Sequence, residues 1–96
     1  MPAYVIAEIE VTDPEQYKQY MAASPGAVAA GGGTFIVRGG ECATLEGDWE
    51  PGRIVVLEFP DLEAAKRWYA SDEYQAAKRL RDGAAVFRAI AVAGAD

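Results

Sequence analysis

Arg53-Ile54-Val55-Val56-Leu57-Glu58-Phe59-Pro60 is the stretch around which the rest of the chain is organised. It has the length of a strand and is closed off by Pro51-Gly52 before it and Pro60-Asp61 after it. Alternation across a strand puts Val55, Leu57 and Phe59 on one face and Ile54, Val56 and Glu58 on the other. A strand apolar on both faces is expected to be central and covered on both sides. Glu58 is therefore predicted to lie largely out of water, where a charge needs a partner.

Before this strand, Ala3 to Val11 alternates in the same way, with Val5, Ala7, Ile9 and Val11 opposite Tyr4, Ile6, Glu8 and Glu10. Asp13-Pro14-Glu15-Gln16 then reads as a helix start: a capping Asp, a proline at the first helical position and Gln16 at capping-box spacing. Tyr17, Tyr20, Met21, Ser24 and Val28 recur at helical spacing, so one side of this helix faces a core. Pro25-Gly26 predicts a kink or break, and Gly31-Gly32-Gly33 a stop. These glycines follow a helix and precede a strand, the wrong order for a phosphate-cradling loop. Thr34 to Arg38 is the next strand, broken by Gly39-Gly40, with Glu41 to Leu45 a candidate edge continuation after a bulge. A polar connection through Trp49 leads to the central strand.

After the central strand, Asp61 caps a second helix with Leu62, Ala65, Trp68 and Tyr69 as its buried stripe. Ser71-Asp72-Glu73 is a fresh cap, so the helix is expected to bend there and restart through Tyr74, Ala77 and Leu80. Ala84 to Ala93 is the last strand, with Ala85, Phe87, Ala89 and Ala91 opposite Val86, Arg88, Ile90 and Val92.

Composition narrows the function. Ninety-six residues, 51% hydrophobic and 25% charged, predict one globular domain spanning residues 1–96. A net charge of −6 argues against nucleic acid or an anionic membrane surface as partner. No apolar run approaches membrane-spanning length and the first residues lack a basic leader segment, so a soluble, cytoplasmic protein is expected. The single cysteine, Cys42, allows no internal disulfide, and its acidic neighbours do not favour a reactive thiolate. There is no histidine, which removes Ser-His-Asp and Cys-His catalysis and the commonest transition-metal ligand. No metal or cofactor is expected, and proton transfer falls to Glu, Asp, Tyr or Lys.

The order β-α-β-β-α-β predicts an α+β, ferredoxin-like fold: a four-stranded antiparallel sheet, spatial order 4-1-3-2, with both helices on one face. Val5, Ala7, Ile9, Phe35, Val37, Val55, Leu57, Phe59, Phe87, Ala89 and Ala91 then form the helix-packed face. The other face keeps seven branched aliphatics and one charge per strand, Arg88, Glu8, Glu58 and Arg38 in spatial order, alternating so that each carboxylate can meet a guanidinium. An uncovered aliphatic face of this size predicts a homodimer closed through the open sheet.

The runs Tyr4-Val5-Ile6-Ala7-Glu8-Ile9, Val37-Arg38-Gly39-Gly40, Leu45-Glu46-Gly47-Asp48-Trp49, Glu58-Phe59-Pro60 and Trp68 to Gln75 resemble a bacterial family known as domain of unknown function 1330, in the dimeric α+β barrel superfamily. The resemblance spans nearly the whole chain. It implies a ferredoxin-like protomer and a dimer, and no particular reaction. The wider superfamily includes cofactor-independent monooxygenases, dehydratases, muconolactone isomerase-like enzymes, haem-degrading proteins and stress proteins. The haem-degrading members use a histidine that this chain lacks.

Two readings of the charged row follow. In one, Glu58 or Glu8 is a general base in a pocket, with Arg38 and Arg88 holding an anionic or enolate oxygen and Tyr20, Trp68 and Tyr74 as walls. The chain is then a cofactor-independent enzyme or binder for a small carbonyl-bearing or aromatic metabolite. In the other, the cluster only fixes a non-catalytic structural or stress-related dimer. Tyr20, Ser24 and Tyr74 can line a cleft between helices and sheet, and Trp49 is either a lid over it or an anchor across the dimer. Lys66, Arg67, Lys78, Arg79 and Arg81 read as a solvated helix face.

Overall fold

The computed structural model describes residues 1–95, in the order β1 (Ala3–Val11), α1 (Pro14–Ala30), β2 (Thr34–Arg38), β3 (Arg53–Phe59), α2 (Leu62–Ala70), α3 (Asp72–Arg79) and β4 (Ala85–Ala93). The sheet order is β2-β3-β1-β4 and every neighbouring pair is antiparallel. This is the ferredoxin-like α+β arrangement expected from the order of elements.

Local chemistry sets the element ends. The Asp13 carboxylate accepts from the Gln16 amide at 3.2 Å, Asp61 from Ala64 at 2.7 Å, and the Ser71 hydroxyl from Tyr74 at 3.1 Å. Ser71 thus divides the second helix into α2 and α3. Gln16 does not close a capping box. Its side-chain amide donates instead to the carbonyls of Leu80 and Asp82, at 3.2 and 2.7 Å, tying the start of α1 to the end of α3. The glycines after α1 stop the helix where it crosses the sheet. Gly32 has φ +83°, and a Cβ on Gly33 would fall within 2.6 Å of the Phe59 ring.

Several local expectations were overridden by packing. Helix α1 runs unbroken through Pro25, because Tyr17, Tyr20, Ser24, Ala27 and Val28 are buried on both sides of it. That burial outweighs a local proline cost of roughly 3 kcal/mol. Residues 41–45 form no strand and are exposed. Tyr69 leaves the buried stripe of α2 and is exposed, whereas Arg81, expected in solvent, is buried.

The core fills the space between helices and sheet: Val5, Ala7, Ile9, Leu57 and Phe59 below, Tyr17, Tyr20, Val28, Trp68 and Tyr74 above. The rings of Trp68 and Tyr74 lie 4.2 Å apart and those of Phe59 and Trp68 5.2 Å, so the aromatic stripe of the helices is core. The opposite sheet face carries no helix. Ile6, Val86, Ile90 and Val92 are exposed there, Ile90 by 62%, and Leu45 in the loop beside it by 96%.

One irregularity changes what each face presents. Phe35 pairs with Leu57, but Val37 pairs with Val56 and Arg38 with Val55, a bulge that inserts Ile36 as an extra residue. Val37 therefore moves off the helix side, and Arg38 moves onto it.

Candidate functional site

A cavity lies between the helix layer and the sheet. Its volume is about 50 Å³. That is room for a few waters or a small group of atoms. Strands β1 and β3 supply its apolar floor, Tyr20 and Ser24 of α1 and Trp68 and Tyr74 of α2 and α3 its roof, and Phe35, Arg38 and Arg53 one end. Among the described residues no aspartate or glutamate lines it.

Sequence alternation explains most of these positions. Arg53 shares the parity of Val55, Leu57 and Phe59, so it faces the helices, where it pairs across with Ile9. The parity rule already contained that signal, although Arg53 was not singled out by it. Arg38 joins Arg53 only because of the bulge. Its guanidinium lies 4.5 Å from the Phe35 ring centroid. The Arg53 guanidinium lies against Gly39, which has φ +72° and no side chain to obstruct it. Among the described residues, neither arginine forms an ion pair with a carboxylate.

The roof is rich in donors that hold their protons. Tyr20 and Tyr74 share a hydroxyl hydrogen bond of 2.8 Å, and Arg81 Nη2 donates to the Tyr74 hydroxyl at 3.4 Å. Burial pushes the Tyr74 hydroxyl pKa up, and burial raises that of Tyr17 to about 12. Both are therefore neutral at physiological pH. The indole N–H of Trp68 is buried with no hydrogen-bond partner among the described residues. Donors and cations without a neighbouring carboxylate can hold and polarise an oxygen atom, but they offer no carboxylate base.

The acid–base candidates lie elsewhere. Glu8 is on the open face, where the Arg88 guanidinium pairs with its Oε1, Trp49 Nε1 donates to Oε2 at 3.1 Å and the Gly52 amide lies 3.4 Å away. The Arg88 hydrogen bond, followed by that from Trp49, holds the Glu8 carboxyl below the usual range. Glu58 faces the same side but stands opposite Tyr4, while Glu8 stands opposite Ile54. Four residues of β3, roughly 13 Å at strand spacing, separate them. Among the described residues the expected row of alternating charges therefore does not form within the protomer: Glu8 and Arg88 pair, Glu58 makes no ion pair, and Arg38 is across the sheet. Trp49 is no lid over the cleft, because its hydrogen bond to Glu8 holds it on the other side.

Among the described residues no group of three or more His, Cys, Asp or Glu side chains is placed to hold a metal ion. Likewise, none of their helices is long and apolar enough to cross a membrane.

Fold and cleft together define a class: a ferredoxin-like α+β protein with a small aromatic cavity under its helices. The chain belongs to the family described as domain of unknown function DUF1330, which matches residues 2–95. A search of curated proteins found no match. Solved structures share the fold at low identity. A protein of unknown function from Rhodopseudomonas palustris, RPA0582, is 20% identical over 99% of this chain and 83% of its own, with a TM-score of 0.76. A protein from Jannaschia sp. CCS1, described as dimeric, ferredoxin-like and of unknown function, is 17% identical over 98% of this chain and all of its own, with a TM-score of 0.72. SnoaB, a cofactor-independent oxygenase from Streptomyces nogalater, is 12% identical over 99% of this chain and 94% of its own, with a TM-score of 0.61.

Proposed function

We propose that this protein holds the oxygen-bearing end of a small aromatic or carbonyl-bearing molecule in the cavity between helices and sheet, with the rest of the molecule at the cavity's open end, and that it does so as a homodimer closed through the open sheet face. The observation that carries the first part is the pairing of an aromatic, apolar enclosure with two arginines that have no carboxylate partner among the described residues. The aromatic walls supply contact area, and Arg38 and Arg53 supply charge-assisted donors for an oxygen at one end. Tyr20, Trp68 and Tyr74 act as walls and donors. A reaction without a resident cofactor, of the kind named for the Streptomyces nogalater oxygenase, is the enzymatic form of this proposal.

The second part rests on the open face, where the aliphatic side chains of Ile6, Val86, Ile90 and Val92 are exposed together, the kind of surface that another apolar surface covers. Solved structures of the same fold described as dimeric support a homodimer, while the choice of face rests on the exposed aliphatics. On that face the Glu8–Arg88 pair supports the architectural role considered for the charged row: it fixes dimer register and takes no part in binding.

Acetophenone and ethylbenzene separate the contribution of the oxygen, because they differ little in shape but only one carries a carbonyl. Titration of labelled protein with acetophenone is expected to shift the Trp68 indole N–H signal, ethylbenzene is expected to do so more weakly, and Arg38→Met is expected to narrow the difference. An unmoved indole signal with both compounds overturns the binding proposal.

A further inference from the structure

A groove on the β4 side of the helix layer carries a charge pattern that the cavity does not explain. It runs between β4 and helices α2 and α3, encloses about 670 Å³, and shares Val5, Tyr69, Phe87 and Ala89 with the cavity wall. Ala89 and Ala91 lie on the helix-side face of β4, paired with Ala7 and Val5, yet both are exposed. The helices leave this half of the edge strand bare, and the alanines form a smooth apolar shelf. The polar wall is Lys66, Lys78 and Arg81, with Arg88, paired with Glu8, at the open-face rim, and no carboxylate among the described residues lines it. In a chain of net charge −6 this is a local inversion of sign.

Arg81 anchors the groove. It is only 8% exposed, its guanidinium carbon lies 3.7 Å from the Phe87 ring centroid and 5.2 Å from that of Tyr20, and its Nε has no hydrogen-bond partner among the described residues. Among the described residues no carboxylate pairs with it. Stacking on two rings offsets part of the cost of burying a cation, but a buried charge ordinarily has a counter-charge. The lysines are not committed elsewhere. Lys66 meets Glu63 at 3.4 Å with both side chains mostly in solvent, and the Lys78 ammonium lies 5.5 Å from the Tyr69 ring.

We propose that this groove is a second ligand site, for a carboxylate that carries an apolar body. The carboxylate sits among Arg81, Lys78 and Lys66, and the body lies along Ala89 and Ala91. A planar guanidinium matches a carboxylate in shape and charge, and the alanine shelf gives an aliphatic chain contact without obstruction.

Octanoate, 1-octanol and inorganic phosphate, titrated separately into labelled protein, test this, with the Arg81 Nε–H and the Ala89 and Ala91 amides as reporters. Octanoate is expected to shift all three saturably, and the other two compounds far less. The double variant Lys66→Ser with Lys78→Ser, checked for an unchanged circular dichroism spectrum, is expected to weaken octanoate binding roughly tenfold, in keeping with the loss of one charge-assisted contact. Equal shifts with octanol overturn the role of the anion, and equal shifts with phosphate overturn the role of the apolar body. Shifts confined to Phe35, Arg38 and Trp68, an absence of shifts, or undiminished octanoate affinity in the double variant overturn the second site. The acetophenone titration reads the Trp68 indole independently, so failure of one proposal is distinguishable from failure of the other.

Discussion

The two faces of the sheet are incomplete in opposite ways. On the helix side the apolar groups are covered, with Phe59, Val28 and Tyr74 almost wholly buried, but the cations Arg38, Arg53 and Arg81 have no carboxylate partners among the described residues. On the open side the ion pair is made, Glu8 with Arg88, while Ile6, Val86, Ile90 and Val92 face solvent. Unpaired charge calls for an oxygen-bearing ligand, and uncovered aliphatic surface calls for another apolar surface. In the proposed reading, residue parity, broken once by the bulge that carries Arg38 across, separates recognition from assembly on one sheet.

Substitutions on the two faces should therefore fail differently. The largest effect is expected from Trp68→Ala, which empties the junction of Phe59, Tyr69 and Tyr74. A loss of about 3–5 kcal/mol is expected in denaturant unfolding, and retention of near-native stability would show that the helix layer is not packed as described. Ile90→Asp, on the open face, is expected to leave protomer secondary structure intact and convert the dimer to a monomer, read by sedimentation. An unchanged sedimentation coefficient would move the interface off this face.

The next effect is one of pH. Burial holds the Tyr17 hydroxyl pKa up to about 12, whereas an unfolded tyrosine ionises near pH 10. Between those values the unfolded chain has given up a proton that the folded chain keeps, so stability falls as pH rises through that window. Tyr17→Phe should flatten this alkaline decline, measured as Tm against pH, and an unaltered slope would contradict the assignment.

The smallest effects belong to the carboxylates of the open face. The Glu8 pKa is lowered, so its contribution is present above the unfolded value near 4 and is lost as pH falls through the folded one. Glu8→Gln should slightly lower Tm at neutral pH and make little difference in acid. Glu58→Gln should leave the stability of a monomeric Ile90→Asp background unchanged, because Glu58 has no ionic partner among the described residues. A marked loss there would restore the buried cluster expected from alternation.

Much of the architecture was legible in the residues. Alternation in Ala3–Val11, Arg53–Phe59 and Ala85–Ala93 marked three strands, and the caps at Asp13, Asp61 and Ser71 marked three helix starts. Tyr20, Trp68 and Tyr74 were legible as a cluster because helical spacing puts them on core-facing sides. Arg38 was assigned to the wrong face because a bulge is a tertiary compromise with no mark in Thr34-Phe35-Ile36-Val37-Arg38. Arg81 looked like one more surface cation, and only the approach of Phe87 and Tyr20 buries it.

The chain by itself determined the periodicities, the helix caps and the apolar faces, because these depend on side chains a few positions apart. The tertiary structure alone decided which charges meet. Registry between strands put Glu8 opposite Ile54 rather than Glu58, and one inserted residue carried Arg38 through the sheet. A one-residue shift reverses the face of a side chain, whereas local pattern energies barely sense it.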